Sequence, residues 1–195
     1  MHVNPFQQAI SVHWQTGAME GREVKESRKL LGDLKGIFLD EAACASADAN
    51  TVVYRVKWWQ PSEPGSEGGL FWGVTAIESG KVGDECFMTH GHFHANSTRA
   101  EYYTTAQGEG RLLLMDRERK TWAEVMSPGS LHYIDGRYAH RVVNAGSVPL
   151  IFWACWPSDA GYDYGTIANE GFGARVFEEN GEVRVVPQTE LSIKN

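Results

Sequence analysis

Residues 100–156 read AEYYTTAQGEGRLLLMDRERKTWAEVMSPGSLHYIDGRYAHRVVNAGSVPLIFWACW. Short runs rich in β-branched and aromatic residues alternate here with turn chemistry at intervals of about ten residues. The turns fall at Gln107–Gly110, Ser127–Gly129 and Asn144–Gly146. Many short strands at this spacing are typical of an antiparallel barrel or jelly roll. The stretch therefore predicts an all-β fold.

The same strand pattern continues towards both ends of the chain. In chain order the predicted strands are Thr51–Trp59, Gly69–Ile77, Glu85–His90, Ala100–Ala106, Gly110–Met115, Trp122–Met126, Ser130–Ile134, Arg141–Asn144 and Leu150–Trp156. A last hairpin is predicted from Gly173–Phe177 and Glu182–Val186, with its turn at Asn180-Gly181. Short helices are predicted at Ser27–Leu34 and Asp40–Ala49.

The length fits one domain with a sizeable core. We expect a single domain over residues 1–195. An extended and helical segment would cover about residues 1–50, the barrel about 51–157 and a C-terminal extension about 158–195.

Charge and composition argue against several classes of partner. The formal net charge is -7 and no basic stripe is present, so neither nucleic acid nor an anionic membrane is an expected partner. No apolar run approaches the ~20 residues that span a bilayer, and the N-terminus lacks a basic segment followed by an apolar one. The three cysteines are widely spaced and unpaired in pattern, which favours reduced thiols. These observations predict a cytoplasmic protein.

Residues 91–101 read GHFHANSTRAE, and His140 directly precedes the later predicted strand Arg141–Asn144. His92 and His94 are two apart, so on a strand both side chains leave the same face. Glu101 lies seven residues after His94, beyond a turn. Three imidazoles and one carboxylate suit a divalent Fe, Mn, Ni, Co or Zn ion with positions left open for substrate. The alternative is that the two histidines decorate a turn and are unrelated to Glu101 and His140.

These residues resemble the two signature blocks of the cupin superfamily and, more narrowly, the cupin-type glucose-6-phosphate isomerases. The matching strings are Pro5-Phe6, Gly80–Gly83, Thr89, Gly91–Ala95, Arg99–Glu101, Ala139–Arg141, Val143-Asn144, Asp159–Gly161, Asp163–Ile167 and Glu179–Val183. The resemblance covers nearly the whole chain, and GHFHA together with DAG and DYGTI is its specific part. It implies a cupin jelly-roll barrel, a sugar-phosphate substrate and a homodimer.

The resemblance also implies roles for individual residues. His92, His94, Glu101 and His140 would bind one divalent transition metal, with Fe²⁺ the first expectation. The positions that would line the sugar-phosphate pocket are Tyr54, Thr75, Thr89, Gly91, Tyr103, Trp156 and Tyr164. Three positions depart from the family pattern: His90 stands in place of Lys, Trp156 in place of Tyr and Tyr162 in place of His.

The implied reaction interconverts glucose 6-phosphate and fructose 6-phosphate. Glu101 would take the C2 proton and Tyr103 would relay protons to the sugar oxygens, so an enediol route is favoured over a hydride shift. A metal-dependent cupin oxygenase and a non-catalytic sugar-binding cupin are the alternative functions. Arg99 and Arg141 flank predicted ligands and are expected to pair with carboxylates.

Overall fold

The computed structural model describes residues 9–191, with the side chains of 169 and 170 excepted. This part of the chain is built mainly of short strands, as the sequence predicts, and the match at Pro5-Phe6 lies outside it. The strands are β1 Ser11–His13, β2 Ala18–Glu20, β3 Lys25–Leu30, β4 Val52–Trp59, β5 Leu70–Ile77, β6 Lys81–Val82, β7 Glu85–Cys86, β8 Glu101–Gln107, β9 Gly110–Met115, β10 Thr121–Met126, β11 Leu131–Ile134, β12 Ala139–Asn144, β13 Leu150–Pro157, β14 Ala174–Glu179 and β15 Glu182–Pro187.

The strands form the two faces of a jelly roll, which confirms the predicted all-β class. A six-stranded antiparallel sheet has the order β11-β8-β13-β5-β4-β3, and the smaller sheet opposite it has the order β10-β9-β12. Isolated bridges tie the segment between β7 and β8 to this smaller sheet, at Met88 with Val143 and at His92 with His140. The segment that carries the predicted metal ligands is thus held beside β12.

The N-terminal third differs from its prediction. The expected helix at Ser27–Leu34 is wrong, because Lys25–Leu30 is a strand paired with β4, and only a 3-10 turn, Leu31–Leu34, follows it. Pairing along the edge of the main sheet overrides the helical propensity of these residues. The main sheet therefore begins well before residue 51.

Helices are few and short. Helix α1 covers Glu41–Ser46, inside the predicted Asp40–Ala49, and the Asp40 carboxylate caps it by accepting from the Ala43 N–H at 2.8 Å. Helices α2 (Gly165–Glu170) and α3 (Gln188–Leu191) have no counterpart in the sequence prediction. Within residues 9–191 there is no helix with the length and apolar character needed to cross a membrane.

Two apolar clusters lie on opposite sides of the main sheet. The larger one fills the barrel and includes Phe152, Leu112 and Met126, all nearly inaccessible to solvent. The smaller one lies outside, where the hairpin of β1 and β2 covers Trp153. The Trp153 indole donates to the Trp14 carbonyl at 2.9 Å, and the two rings stack with centroids 5.3 Å apart. This outer cluster buries the back of the sheet whose front faces the barrel interior.

The C-terminal hairpin is present where the sequence predicts it. Asn180 and Gly181 both have positive φ (54° and 84°), the conformation that a two-residue type I′ turn requires. Strand β14 pairs with β7 at Phe177 and Glu85, so the hairpin covers the edge of that short strand. Arg175 reinforces the contact through a 2.7 Å ion pair with the buried Glu85.

Candidate active site and metal centre

The four predicted metal ligands meet inside the barrel. His92 and His140 face each other through backbone hydrogen bonds of 3.3 Å and 3.0 Å. One ring nitrogen from each of His92, His94 and His140 lies within 4.8 Å of the others. The Oε1 atom of Glu101, at the start of β8, lies 2.7 Å from His140 Nε2 and 3.3 Å from His94 Nε2. The alternative of unrelated histidines does not fit this convergence.

The donor atoms suit a divalent cation. Glu101 Oε1 and both ring nitrogens of His140 are buried and have no hydrogen-bond partner of proper geometry among the described residues. Buried polar groups are otherwise almost always paired. His94 Nδ1 is 2.6 Å from the Arg99 carbonyl oxygen, an arrangement that leaves Nε2 directed at the centre. A backbone partner on the second ring nitrogen is the usual support of a metal-binding histidine.

The surroundings of Glu101 and His92 favour the protonation states that bind a metal, an ionised carboxylate and a neutral imidazole. Burial alone would raise the pKa of Glu101, but His140 and His94 outweigh it and hold that pKa well below its ordinary value. Burial, together with the nearby His140, lowers the pKa of His92, which keeps its imidazole neutral. Burial works in the same direction on His94, yet the Glu101 carboxylate raises the His94 pKa overall. The result is an ionised carboxylate among imidazoles.

Two arginines next to the candidate ligands form different contacts: Arg99 binds a carboxylate, and Arg141 binds a backbone carbonyl. Arg99 forms the carboxylate pair expected of it, a fork to Asp159 with contacts of 2.8–2.9 Å. The expected carboxylate pair of Arg141 is wrong: its guanidinium donates to the His90 carbonyl at 2.7 Å and lies 4.4 Å above the Phe172 ring. The buried acid nearby, Glu85, is already paired with Arg175.

The four candidate ligands line a cavity of about 320 Å³, large enough for a small metabolite. Every other position that the sequence assigned to the substrate pocket also lines this cavity, namely Tyr54, Thr75, Thr89, Gly91, Tyr103, Trp156 and Tyr164. The Thr89 hydroxyl accepts from the Val142 N–H at 3.1 Å, so its own hydrogen stays free for another partner. Polar groups and aromatic rings thus surround one space.

Four tyrosines line the cavity in their protonated form, and burial raises the pKa of one of them, Tyr54, to about 12. Burial raises the pKa of Tyr103 well above its ordinary value, and the Glu101 charge raises it further. Burial also raises the pKa of Tyr162 to about 12 and shifts the pKa of Tyr164 upward. Tyr162 and Tyr164 stack on each other, with centroids 5.8 Å apart, and both rings contact His92.

The cavity wall also contains residues for which sequence reasoning proposed no role. Phe152 and Ala154 of β13 are alternate residues on the inward face of a predicted strand. Ser27 and Lys29 of β3 line the opposite edge. The alternation of Lys25, Ser27 and Lys29 could have indicated a strand with these side chains on one face. The sequence prediction placed a helix there instead.

The sequence is similar to known proteins along nearly its full length. The sequence profile of the glucose-6-phosphate isomerase family matches residues 28–193. The glucose-6-phosphate isomerase of Pyrococcus furiosus is 44% identical over 188 residues, which cover 95% of this chain and 96% of that protein. That of Thermococcus litoralis is 42% identical over 183 residues, with 93% of each chain covered.

More distant similarities follow. The glucose-6-phosphate isomerase of Sinorhizobium medicae is 38% identical over 171 residues, covering 86% of this chain and 78% of that protein. Among solved structures, oxalate decarboxylase from Bacillus subtilis superposes with a TM-score of 0.44 at 19% identity, over 56% of this chain and 26% of that one. On the family profile and the full-length relatives, the chain belongs to the cupin-type glucose-6-phosphate isomerase family.

Proposed function

We propose that this protein interconverts glucose 6-phosphate and fructose 6-phosphate with one divalent transition metal per subunit. The observation that carries the proposal is the convergence of Glu101 with three imidazoles on the wall of a cavity that is also lined by threonine and tyrosine side chains. The names and coverage of the relatives support the substrate class.

His92, His94, Glu101 and His140 would hold the metal, because their donor atoms are close together, buried and short of other partners. The bound cation would act as a Lewis acid that polarises the carbonyl of the open-chain sugar. Imidazole and carboxylate ligands are compatible with Fe²⁺, Mn²⁺, Ni²⁺, Co²⁺ and Zn²⁺. We propose Fe²⁺ as the native ion, and metal analysis of the purified protein tests that choice.

Glu101 is suited to accept a proton from the substrate, and Tyr103 is suited to donate one to it. They alternate on β8 and both point into the cavity. The pKa of Glu101 is lowered and the pKa of Tyr103 is raised, so one stays an acceptor and the other stays a donor. We assign to Glu101 the removal of the C2 proton and to Tyr103 proton transfer to the sugar oxygens. A carboxylate of such low pKa is a weak base, so the route needs a C2 proton made acidic by the neighbouring carbonyl.

The remaining cavity residues would bind the sugar phosphate. Tyr54 and Thr75 lie on adjacent strands of the main sheet, and Thr89 and Gly91 approach from the facing segment. Trp156 and Tyr164 complete the wall with aromatic surface. Hydroxyls and backbone N–H groups of this kind can hold a phosphate dianion.

A coupled assay of fructose 6-phosphate conversion, with and without chelator, tests the proposal. Activity should vanish on chelation and return when Fe²⁺ or Mn²⁺ is added. Absence of turnover in fully metal-loaded protein would refute the isomerase. Oxygen consumption by that protein would instead support a cupin oxygenase, and sugar binding without either reaction would indicate a binding protein.

An enediol route and a hydride shift differ in whether the transferred hydrogen can exchange with solvent. We favour the enediol route, since it uses Glu101 and Tyr103. The reaction run in heavy water should then place deuterium in the product. A product free of deuterium at every extent of turnover would favour the hydride shift.

We also propose a cytoplasmic homodimer. Tyr102, Leu131 and Tyr133 are each half or more exposed on the outer face of β8 and β11, where the two tyrosine rings lie 5.4 Å apart. Such an apolar patch on an edge strand suits a second copy of the chain. Sedimentation at micromolar concentration checks this, and a monomer there would contradict it. The cytoplasmic location rests on the cysteine usage of the sequence.

A further inference from the structure

Strand β3 brings a lysine into the cavity. Lys29 lies opposite Tyr54 and Ser27 lies opposite Val56 in the antiparallel register of β3 and β4. Residues directly opposite each other in such a pair project from the same face of the sheet. Because Tyr54 and Val56 face the cavity, Ser27 and Lys29 line it as well.

Among the described residues, none pairs with the charge of Lys29. Two other lysines of the same strand pair are engaged: Lys57 lies 3.6 Å from Glu26, and Lys25 donates to Gln60 at 2.6 Å. Lys29 has no comparable ion pair or hydrogen bond within residues 9–191. Its ammonium group is therefore available to a ligand.

The positive charge of Lys29 and the negative charge of Glu101 lie on different parts of the cavity wall. Among the described residues that line it, Lys29 supplies the ammonium or guanidinium charge and Glu101 supplies the carboxylate. In the main sheet β3 is an edge strand, and three strands separate it from β8, which carries Glu101. An elongated ligand with an anionic end fits this arrangement, with the anion towards β3 and the other end at the metal ligands.

We propose that Lys29 binds the phosphate group of the substrate and so selects phosphorylated over unphosphorylated sugars, an inference that rests on the proposed function. A phosphate monoester carries nearly two negative charges at neutral pH. A lysine on a flexible four-carbon stem is a suitable point charge for it. Thr75 and Thr89, which also line the cavity, provide hydroxyls for the same group.

The test compares Lys29→Gln with Lys57→Gln in the full-length, metal-loaded protein. Both substitutions remove one lysine charge from adjacent strands, but only Lys29 lines the cavity. Loss of a charge-assisted hydrogen bond predicts a KM for fructose 6-phosphate about ten-fold higher in Lys29→Gln, with kcat changed far less. Lys57→Gln should keep the wild-type KM, and Lys29→Arg should recover part of the loss.

Calorimetry separates this inference from the proposed function. Lys29→Gln should bind fructose 6-phosphate about ten-fold more weakly than the wild type and bind fructose with unchanged affinity. Equal weakening for both sugars, or for neither, would overturn the role of Lys29. An inactive wild type would refute the proposed isomerase, whereas the difference between the two sugars in binding would still decide whether Lys29 recognises phosphate.

Discussion

Gly91 can be tested as the point that fixes the segment carrying His92 and His94. It has φ +76° and lies immediately before His92. A Cβ at this position would come within 2.6 Å of the buried Phe172 ring and 3.1 Å of Arg141 Cβ. Left-handed backbone costs a non-glycine residue about 1–2 kcal/mol, and overpacking a buried site adds about 1–3 kcal/mol. Gly91→Ala should therefore destabilise the protein by about 2–5 kcal/mol.

Gly129→Ala is the matched control. Gly129 also has positive φ (+89°), but a Cβ added there would meet no atom of the described residues within 4 Å. Gly129→Ala should lose only the stability that left-handed backbone costs. The free energies of unfolding of the two variants should therefore differ by the cost of the steric overlap at position 91. For a chain of this size that difference corresponds to a melting temperature about 2–12 °C lower in Gly91→Ala. Thermal unfolding of metal-free protein measures the difference, and equal melting temperatures would show that a side chain at position 91 meets no steric clash.

Further predictions concern the metal centre and its supports. Free metal at a hundred times its Kd should stabilise the wild type by about 2.7 kcal/mol, and differential scanning calorimetry should show this shift lost in Glu101→Gln. In metal-free protein the lowered Glu101 pKa adds stability that is complete above about pH 4.3 and lost as the pH falls, so acid titration should destabilise the wild type more than Glu101→Gln. Tyr103→Phe should lower kcat by about 10²-fold with little change in KM; an unchanged kcat in the coupled assay would contradict a proton-transfer role. Asp159→Ala frees Arg99, whose carbonyl orients His94, and should weaken metal binding about ten-fold; a metal titration with wild-type affinity would oppose this.

The barrel strands between residues 51 and 157 were predictable because local sequence and tertiary context agree there. Most of the predicted strands coincide with strands of the structure, although the predicted Glu85–His90 is a strand only over Glu85–Cys86, and Asn180-Gly181 marks the C-terminal hairpin equally well. The candidate metal ligands were predictable for a related reason: His92 and His94 are two residues apart in a segment held by isolated bridges, and antiparallel folding returns His140 beside His92.

Features that depend on distant parts of the chain were not predictable in the same way. Residues 27–34 include good helix formers, and only pairing with β4 makes a strand of Lys25–Leu30. That error concealed Lys29 on the cavity wall. Arg141 has many possible carboxylate partners in the sequence, but Arg175 takes the buried Glu85 and leaves Arg141 to the His90 carbonyl.

Anomalous diffraction from crystals of the zinc-loaded protein would show directly whether His92, His94, Glu101 and His140 bind one metal ion. We expect one strong peak per chain, about 2.0–2.2 Å from a ring nitrogen of His92, His94 and His140 and from a Glu101 carboxylate oxygen. A peak at any other set of side chains, in protein that isomerises glucose 6-phosphate, would contradict this expectation.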